Sequence, residues 1–355
     1  MKLSVTLLSL VGWLITTNFV HADPRWPLEP SIDALELKQM SAILVQQNGA
    51  IVFEQYYNGS QADDLHDIRS ASKSITSLLF GIALKQQQVA SLEQPVLPVF
   101  KDYQPLHHDF AAKQNMTFFD LLSMTNPLEC DDFNNFSAGH EERMYLQADW
   151  IEFTLSLPER GYQPWTAAPH ERPYQRAFAY CTAGIALVGA ALERITQASL
   201  SDYAEQHLFA PLDIQNVKWL TSPKGITQGG GGLQIRPRDL VKIGQLMLNQ
   251  GRWQNREIVT PQWVKQSFTP YSQAMPEMNA DYGLTWWIFN IQSDVSTLQA
   301  FAAAGNGGNY LFVVPELNLV SVITSKAYNT PYMHQQTHQV FKEIILPKAR
   351  ANIAH

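Results

Sequence analysis

A serine and a lysine lie three residues apart in the stretch RSASKSITSLLFGIAL, residues 69–84. A serine hydroxyl is a weak nucleophile and needs a base within hydrogen-bond reach, and a lysine amine can be that base when burial disfavours its charged form. Residues i and i+3 share one face of a helix, so Ser70 and Lys73 would point the same way. The spacing predicts a nucleophile and its base, while a helix-capping serine beside a solvated lysine also fits the pattern.

A candidate proton carrier precedes a second helical pattern, in FAYCTAGIALVGAALERIT, residues 178–196. Hydrolysis through a serine needs a group that protonates the leaving group. Tyr180 supplies a hydroxyl, and a lysine ammonium beside it would stabilise its phenolate and ease the loss of its proton. The alternative is that Tyr180 only packs against neighbouring side chains and carries no proton in the reaction. Thr182 follows two residues later.

A glycine-rich stretch, AAAGNGGNYLFVVP at residues 302–315, runs into β-branched residues. Glycines among small residues let a backbone approach a ligand closely, so this stretch predicts a strand edge that presents a backbone N–H to the site. A plain hairpin turn is the alternative.

The elements around these residues follow from turn signals and periodicity. Asn48-Gly49 between two apolar runs predicts a β-hairpin. Helical spacing begins at or just after Ser70 and recurs from Pro237 to Leu248, after a Gly-rich bend. Strands near both ends around a helical middle indicate an α+β fold: one antiparallel sheet built from both termini and flanked by helices, with a helical subdomain inserted at about 86–225.

Composition narrows the class of protein. The 355 residues are 45% hydrophobic and 16% charged, enough for one large core, and the formal charge of −7 comes without a basic run. Nucleic acid is therefore an unlikely partner. Residues 1–22 resemble a signal peptide that ends in Val-His-Ala, which predicts export to the periplasm or medium and a single mature domain at 23–355; an uncleaved membrane anchor is the alternative. Cys130 and Cys181 form a disulfide or remain two free thiols.

Rival chemistries lack their motifs. No serine stands in a Gly-x-Ser-x-Gly elbow. His334 and His338 are spaced i,i+4, but no His-Glu-x-x-His accompanies them, so we interpret them as a solvated helix face and predict no metal and no cofactor. Asp131 and Asp132 are adjacent on a loop, where side chains diverge, and we assign them at most a substrate-contacting role at the rim.

The motifs taken together resemble the serine β-lactamase-related superfamily, from about residue 40 to 345. The likeness is greatest to its branch of class C enzymes, esterases and 6-aminohexanoate-dimer hydrolases. Ser-x-x-Lys is the known signature of β-lactamases and penicillin-binding proteins. The stretches that carry the resemblance are SASK, YCT, GAALERIT, LLSMTNPLECDD, LFAPLDIQNVKW, GGGLQIRPRDLVKIGQLMLNQGRW, YGLTWWI and VVPELNLVSVIT.

The resemblance implies a role for each matching position. Ser70 would be the acylated nucleophile and Lys73 its proton acceptor. Tyr180 would help to deprotonate Ser70 or the hydrolytic water and would protonate the leaving group. Thr182 would hydrogen-bond Lys73 or the substrate. The backbone N–H groups of Ser70 and of Asn306, beside Gly305, would form the oxyanion hole.

One departure from the family pattern bears on the substrate. Members that bind a β-lactam or peptide carboxylate carry Lys- or His-Thr-Gly where this chain reads Ala302-Ala303-Ala304-Gly305, so a substrate carboxylate has no evident cation here. We therefore predict an exported serine hydrolase that cleaves an ester or small amide. The alternatives are a weak β-lactamase or DD-peptidase, or a non-catalytic binding protein that retains the fold.

Overall fold

The computed structural model describes residues 23, 26–292 and 297–352, so the predicted signal peptide at 1–22 lies outside the described residues. Short 3₁₀ turns and two π-helical segments join or extend several helices, and the turn Arg69–Ala71 leads directly into α2. The α-helices are α1 (Glu29–Asp33), α2 (Ser72–Lys85), α3 (Ala111–Gln114), α4 (Phe118–Leu122), α5 (Glu141–Tyr145), α6 (Trp150–Leu155), α7 (Thr182–Thr196), α8 (Leu200–Ala204), α9 (Pro237–Leu248), α10 (Pro261–Ser267), α11 (Met333–Gln339) and α12 (Leu346–Ala351).

The main sheet has eight antiparallel strands in the order β2-β1-β13-β12-β11-β10-β9-β8, and a three-stranded sheet β3-β5-β4 and a β6-β7 hairpin accompany it. The strands are β1 (Met40–Gln47), β2 (Ala50–Tyr56), β3 (His66–Asp67), β4 (Lys218–Trp219), β5 (Leu233–Ile235), β6 (Arg252–Trp253), β7 (Arg256–Glu257), β8 (Ser272–Met275), β9 (Ala280–Tyr282), β10 (Trp287–Gln292), β11 (Thr297–Gly305), β12 (Asn309–Val314) and β13 (Leu319–Ser325).

The main sheet joins the two ends of the chain, as predicted. β1 and β2 form the hairpin around Asn48 and Gly49, both of which have positive φ, and β1 pairs with β13 along its other edge. Positive φ at both central residues matches the right-handed twist of the flanking strands. The α+β class with a large antiparallel sheet is therefore confirmed.

Helix α2 crosses the centre of the molecule and is buried from Ser72 to Ala83, so the predicted apolar face is confirmed but the polar face is buried as well. A buried hydroxyl needs a hydrogen-bond partner, and here each one donates to a backbone carbonyl of a neighbouring segment. These bonds are Ser74 Oγ to Thr285 O (2.7 Å), Thr76 Oγ1 to Gly229 O (2.6 Å) and Ser77 Oγ to Leu284 O (3.1 Å).

Helices are the main regular structure in the middle of the chain, although turns and loops make up more than half of it. Residues 86–225 contain α3 to α8 with several 3₁₀ turns, and also the short strand β4. The predicted helix over 237–248 is observed as α9, and Gly244 allows this helix to lie directly against Val320 of the sheet. Among the described residues, no helix is both long and apolar enough to span a bilayer.

Candidate active site

Ser70 lies in the 3₁₀ turn that opens α2, and Lys73 follows one turn later on the same side. Lys73 Nζ is 2.8 Å from Ser70 Oγ and 2.7 Å from the carbonyl oxygen of Gly230. An uncharged amine here would donate one N–H to Gly230 O and turn its lone pair toward the serine hydroxyl. The pair therefore has the geometry of a nucleophile and its base.

Burial changes the proton affinity of this lysine. Lys73 is 1% exposed, and burial lowers its pKa from 10.5 to about 8, with the carboxylates of Glu141 and Asp132 acting in the opposite direction. Desolvation disfavours the ammonium form, so roughly a tenth of the molecules carry the free amine at pH 7. The base form is thus accessible near neutral pH.

Tyr180 lies at the end of the loop before α7, its ring is 4.7 Å from Lys73 Nζ, and the nearby Ser70 hydroxyl lowers its pKa slightly against the effect of burial. The ring stacks on Phe133 and on Trp287, with centroids 5.2 and 5.6 Å away. Burial raises the pKa of Tyr180 well above its usual 10. The prediction that the ammonium would ease loss of the tyrosine proton was therefore wrong, because Nζ lies over the ring face and desolvation dominates. Tyr180 stays a phenol, able to donate a proton.

The end of β11 packs directly on the turn that carries Ser70. A Cβ at Gly305 would lie 2.0 Å from the carbonyl oxygen of Ile68, so only glycine fits. This contact brings the backbone of Asn306 to the cavity wall beside Ser70. The side chain of Asn306 points elsewhere and exchanges hydrogen bonds with Asn329 (2.6 and 2.9 Å). Only the backbone of Asn306 can therefore serve an oxyanion hole.

The structure places Asp132, and not Asp131, at the cavity. Asp131 Oδ1 accepts a hydrogen bond from the backbone N–H of Phe133 and closes its own loop, which turns its side chain away from the site. Asp132 accepts from the backbone N–H groups of Thr182 and Glu141, both at 2.8 Å. Burial and the Glu141 carboxylate raise the pKa of Asp132 to about 6.

Cys130 and Cys181 are joined by a disulfide, which decides between the two states left open by the sequence. The bond ties the loop that carries Asp132 to the segment that carries Tyr180. Between them, the backbone N–H of Asp132 donates to the carbonyl oxygen of Tyr180 at 2.7 Å. Thr182 is fully buried and does not line the cavity, and no hydrogen bond joins its hydroxyl to Lys73 in the described part of the chain.

The cavity beside Ser70 has a volume of about 360 Å³ and is mostly apolar. Its walls carry two carboxylates, of Asp132 and Glu141, and no lysine or arginine among the described residues. The remaining lining residues are Phe133, Tyr180, Met275, Met278, Trp287, Phe289, Ala304, Gly305, Asn306, Tyr310, Met333 and His334.

His334 and His338 do not form a solvated helix face, so that interpretation was wrong. His334 lines the cavity and His338 is buried, because α11 packs its histidine side onto β12. Both rings hydrogen-bond the hydroxyl of Tyr310, at 2.9 Å (His334 Nδ1) and 3.3 Å (His338 Nε2). No group of three or more histidine, cysteine or acidic side chains suited to a metal occurs in the described residues.

The sequence analysis missed Gly230, Glu141 and Tyr310 as parts of the site. Gly230 had a signal in the Gly-rich run before α9: a Cβ there would lie 2.7 Å from the carbonyl oxygen of Thr182. Tyr310 sits opposite Ala304 across the β11–β12 ladder, a pairing that only the hairpin register reveals.

The chain belongs to the beta-lactamase family, whose model matches residues 32–343. It is similar to the 6-aminohexanoate-dimer hydrolase of Paenarthrobacter ureafaciens, with 24% identity over 96% of this chain and 89% of that protein. A solved structure provisionally named 6-aminohexanoate-dimer hydrolase, from Bacillus anthracis, superposes with a TM-score of 0.72 and 19% identity over 94% of this chain and 85% of that one. A hydrolase with promiscuous acyltransferase activity superposes at 0.65, with 15% identity over 88% and 96% of the two chains. These structures share the fold.

Proposed function

We propose that this member of the family is a serine hydrolase that cleaves an ester or small amide through an acyl-enzyme on Ser70. The observation that carries the proposal is the 2.8 Å contact between Lys73 Nζ and Ser70 Oγ at a lysine whose pKa is about 8. A lowered pKa alone does not mark a catalytic lysine, since burial also lowers the pKa of Lys113 to about 8, and that amine donates to the carbonyl oxygens of His108, Leu155 and Leu157. Lys73 differs because its amine contacts a serine hydroxyl at the cavity. The name of the Paenarthrobacter relative supports an amide-cleaving member of the family.

In the acylation step, Ser70 Oγ attacks the carbonyl carbon while its proton moves to Lys73 Nζ. The negative charge on the carbonyl oxygen is held by the backbone N–H groups of Ser70 and Asn306. The carbon–oxygen or carbon–nitrogen bond then breaks. Tyr180 gives its proton to the leaving group and regains one from the Lys73 ammonium.

In the deacylation step, water takes the place of the leaving group. Lys73, again a free amine, removes the water's proton, directly or through the Tyr180 hydroxyl as a relay, as the water oxygen bonds to the acyl carbon. The Lys73 ammonium then returns a proton to Ser70 Oγ when the acid departs. The two steps use the same three groups in opposite directions, and neither needs a cofactor.

The cavity favours substrates without a negative charge. Its lining carries Asp132 and Glu141 and, among the described residues, no lysine or arginine, so the Lys73 ammonium beside Ser70 is the cation near the nucleophile, and a carboxylate elsewhere in the cavity would be repelled. A neutral ester or amide, or one bearing an amine, meets no such penalty. This favours esterase or amidase activity over hydrolysis of β-lactams, which carry a carboxylate.

We also propose that the protein is exported after cleavage at Ala22. The support is the pattern of residues 1–22 together with the Cys130–Cys181 disulfide, since disulfides persist in oxidising compartments. Mass spectrometry of the mature N-terminus from a periplasmic fraction tests this proposal, and an intact Met1 there would contradict it.

A fluorophosphonate probe tests the chemistry. We expect an adduct on the peptide that contains Ser70 and hydrolysis of p-nitrophenyl esters by the native chain. Ser70→Ala should lose both, with turnover reduced roughly 10⁴-fold or more. A folded native chain that neither binds the probe nor turns over any ester would instead support the non-catalytic binding protein.

A further inference from the structure

A second polar cluster faces the cavity. The hydroxyl of Tyr310, on β12, lies 2.9 Å from His334 Nδ1 and 3.3 Å from His338 Nε2. Tyr310 and His334 line the cavity that also contains Ser70, while His338 is buried behind them. Nothing in the proposed reaction uses these three side chains.

All three groups are uncharged near neutral pH. Burial lowers the pKa of His334, and burial together with the neighbouring Lys342 lowers that of His338 to about 3. Burial raises the pKa of Tyr310. The cluster therefore holds three titratable protons, one on each ring or hydroxyl.

Counting these protons shows what the cluster offers. Two protons are used in the two internal hydrogen bonds, and one remains. Were it on His338 Nδ1, it would be a buried N–H without a partner, because that atom is enclosed and unpaired. A buried donor left unpaired costs about 1–3 kcal/mol. The third proton is therefore best placed on His334 Nε2, which no described residue bonds, or on the Tyr310 hydroxyl, and both residues line the cavity.

We propose that Tyr310, His334 and His338 form a subsite that donates one hydrogen bond to an uncharged carbonyl oxygen of the substrate, separate from the carbonyl that Ser70 attacks. The surrounding wall is apolar, with Met278, Met333 and Phe289, so the donor has no competing protein partner there among the described residues. A buried donor discriminates strongly against substrates that lack its acceptor. The substrate class is thus a dicarbonyl compound, such as a keto ester or a molecule with a second ester or amide.

The subsite selects against charge. No lysine or arginine among the described residues lines the cavity, although Lys342 lies near His338 behind it, and Asp132 and Glu141 share the cavity with the subsite. A neutral imidazole or phenol donor gains little from an ammonium group, which has no acceptor. A neutral carbonyl oxygen satisfies the spare proton without adding a negative charge to a cavity that already holds Asp132 and Glu141.

Because this inference rests on the proposed hydrolase function, the test separates the two. Pairs of p-nitrophenyl esters are compared in which one methylene of a straight acyl chain, at position 4, 5, 6 or 7, is replaced by a carbonyl. Each kcat/KM is divided by the hydroxide-catalysed rate. We expect one keto ester to exceed its methylene counterpart by about tenfold, the effect of one hydrogen bond made in an apolar pocket.

The double variant His334→Phe, Tyr310→Phe should reduce that preference to about one, since either single substitution leaves the other donor at the cavity. Gln335→Phe is the matched control, since Gln335 is the exposed neighbour of His334 on α11 and does not line this cavity; it should retain the tenfold ratio. The inference is overturned if no keto ester is preferred, or if the preference survives in the double variant.

Binding to Ser70→Ala completes the test. Calorimetry with the same ester pairs measures the preference without turnover. Tighter binding of the keto ester in the absence of any wild-type hydrolysis would refute the function and leave the subsite standing. Hydrolysis of the esters with no preference for the keto ester would support the proposed function and refute the subsite.

Discussion

Two clusters of three side chains face one cavity, and they differ in what burial has done to their protons. In the cluster of Ser70, Lys73 and Tyr180, burial brings an amine to a pKa of about 8. In the cluster of Tyr310, His334 and His338, burial moves the histidine pKa values away from neutrality. The same physical cause leaves the first cluster able to exchange protons near neutral pH and the second unable to do so.

The comparison teaches that burial alone does not mark a catalytic group. Desolvation lowers the pKa of both lysine and histidine, but only lysine starts high enough to arrive near the working pH. Burial moves the pKa of a histidine further below neutral pH, so the ring stays uncharged and serves only as a hydrogen-bonding group. The chemistry of this site therefore depends on the residue type that is buried beside the nucleophile.

Removing the base should have the largest effect. Lys73→Ala leaves Ser70 without a proton acceptor, and we expect kcat/KM for p-nitrophenyl esters to fall roughly 10³-fold or more. Lys85→Ala, at the far end of the same helix, is the control and should stay within about twofold. A Lys73→Ala variant with near-native turnover would mean that the first cluster does not depend on its amine.

Removing the Cys130–Cys181 disulfide should destabilise the segment that carries Tyr180, which belongs to the first cluster. The second cluster should be unaffected, because α11 and β12 hold its side chains. We expect the double variant Cys130→Ala, Cys181→Ala to lose about 2–4 kcal/mol of unfolding free energy, typical of a bridge that closes a loop of about fifty residues. Guanidinium unfolding of the native and double-variant chains measures this. Equal midpoints would show that the hydrogen bonds of Asp132 suffice.

Tyr180→Phe isolates the proton donor. The ring stacking with Phe133 and Trp287 is retained, so the expected loss, about 10²-fold in kcat/KM, reports the hydroxyl alone. Tyr282→Phe removes a hydroxyl from the same aromatic group without touching Ser70, and serves as the control. Comparable losses in the two variants would assign the effect to packing.

The smallest effect is a shift in the pH profile. The Glu141 carboxylate raises the pKa of Lys73, so Glu141→Gln should lower that pKa and move the rising limb of kcat/KM to lower pH. Glu142→Gln, at the next position, is the control because Glu142 does not line the cavity. If the rising limb of the pH profile does not shift, or shifts to higher pH, ionisation of the Lys73 amine does not determine that limb.

Local patterns predicted most of the fold. The Asn48-Gly49 turn and the period of residues 237–248 each depend on neighbours in sequence, and both were observed. The contact between Lys73 and Ser70 follows from helix geometry for the same reason. Elements whose interactions are local can be recognised without knowing the tertiary structure.

The parts of the site that sequence could not predict depend on distant partners. The sequence could not show which of Asp131 and Asp132 faces the cavity. That depends on the turn in which the Phe133 N–H donates to Asp131 Oδ1. His334 and His338 looked exposed because their partner, Tyr310, is 24 and 28 residues away. The proton affinity of Tyr180 could not be inferred from its neighbour Lys73, since the depth of burial outweighed the charge.

The close contact between Gly305 and Ile68 has a consequence for biosynthesis. The nucleophile is made early, and the strand that completes its carbonyl pocket is made more than two hundred residues later. A partly synthesised chain thus carries the serine and the amine but no binding place for the reacting oxygen. The hydrolysis proposed above therefore requires nearly all of the polypeptide to have been made.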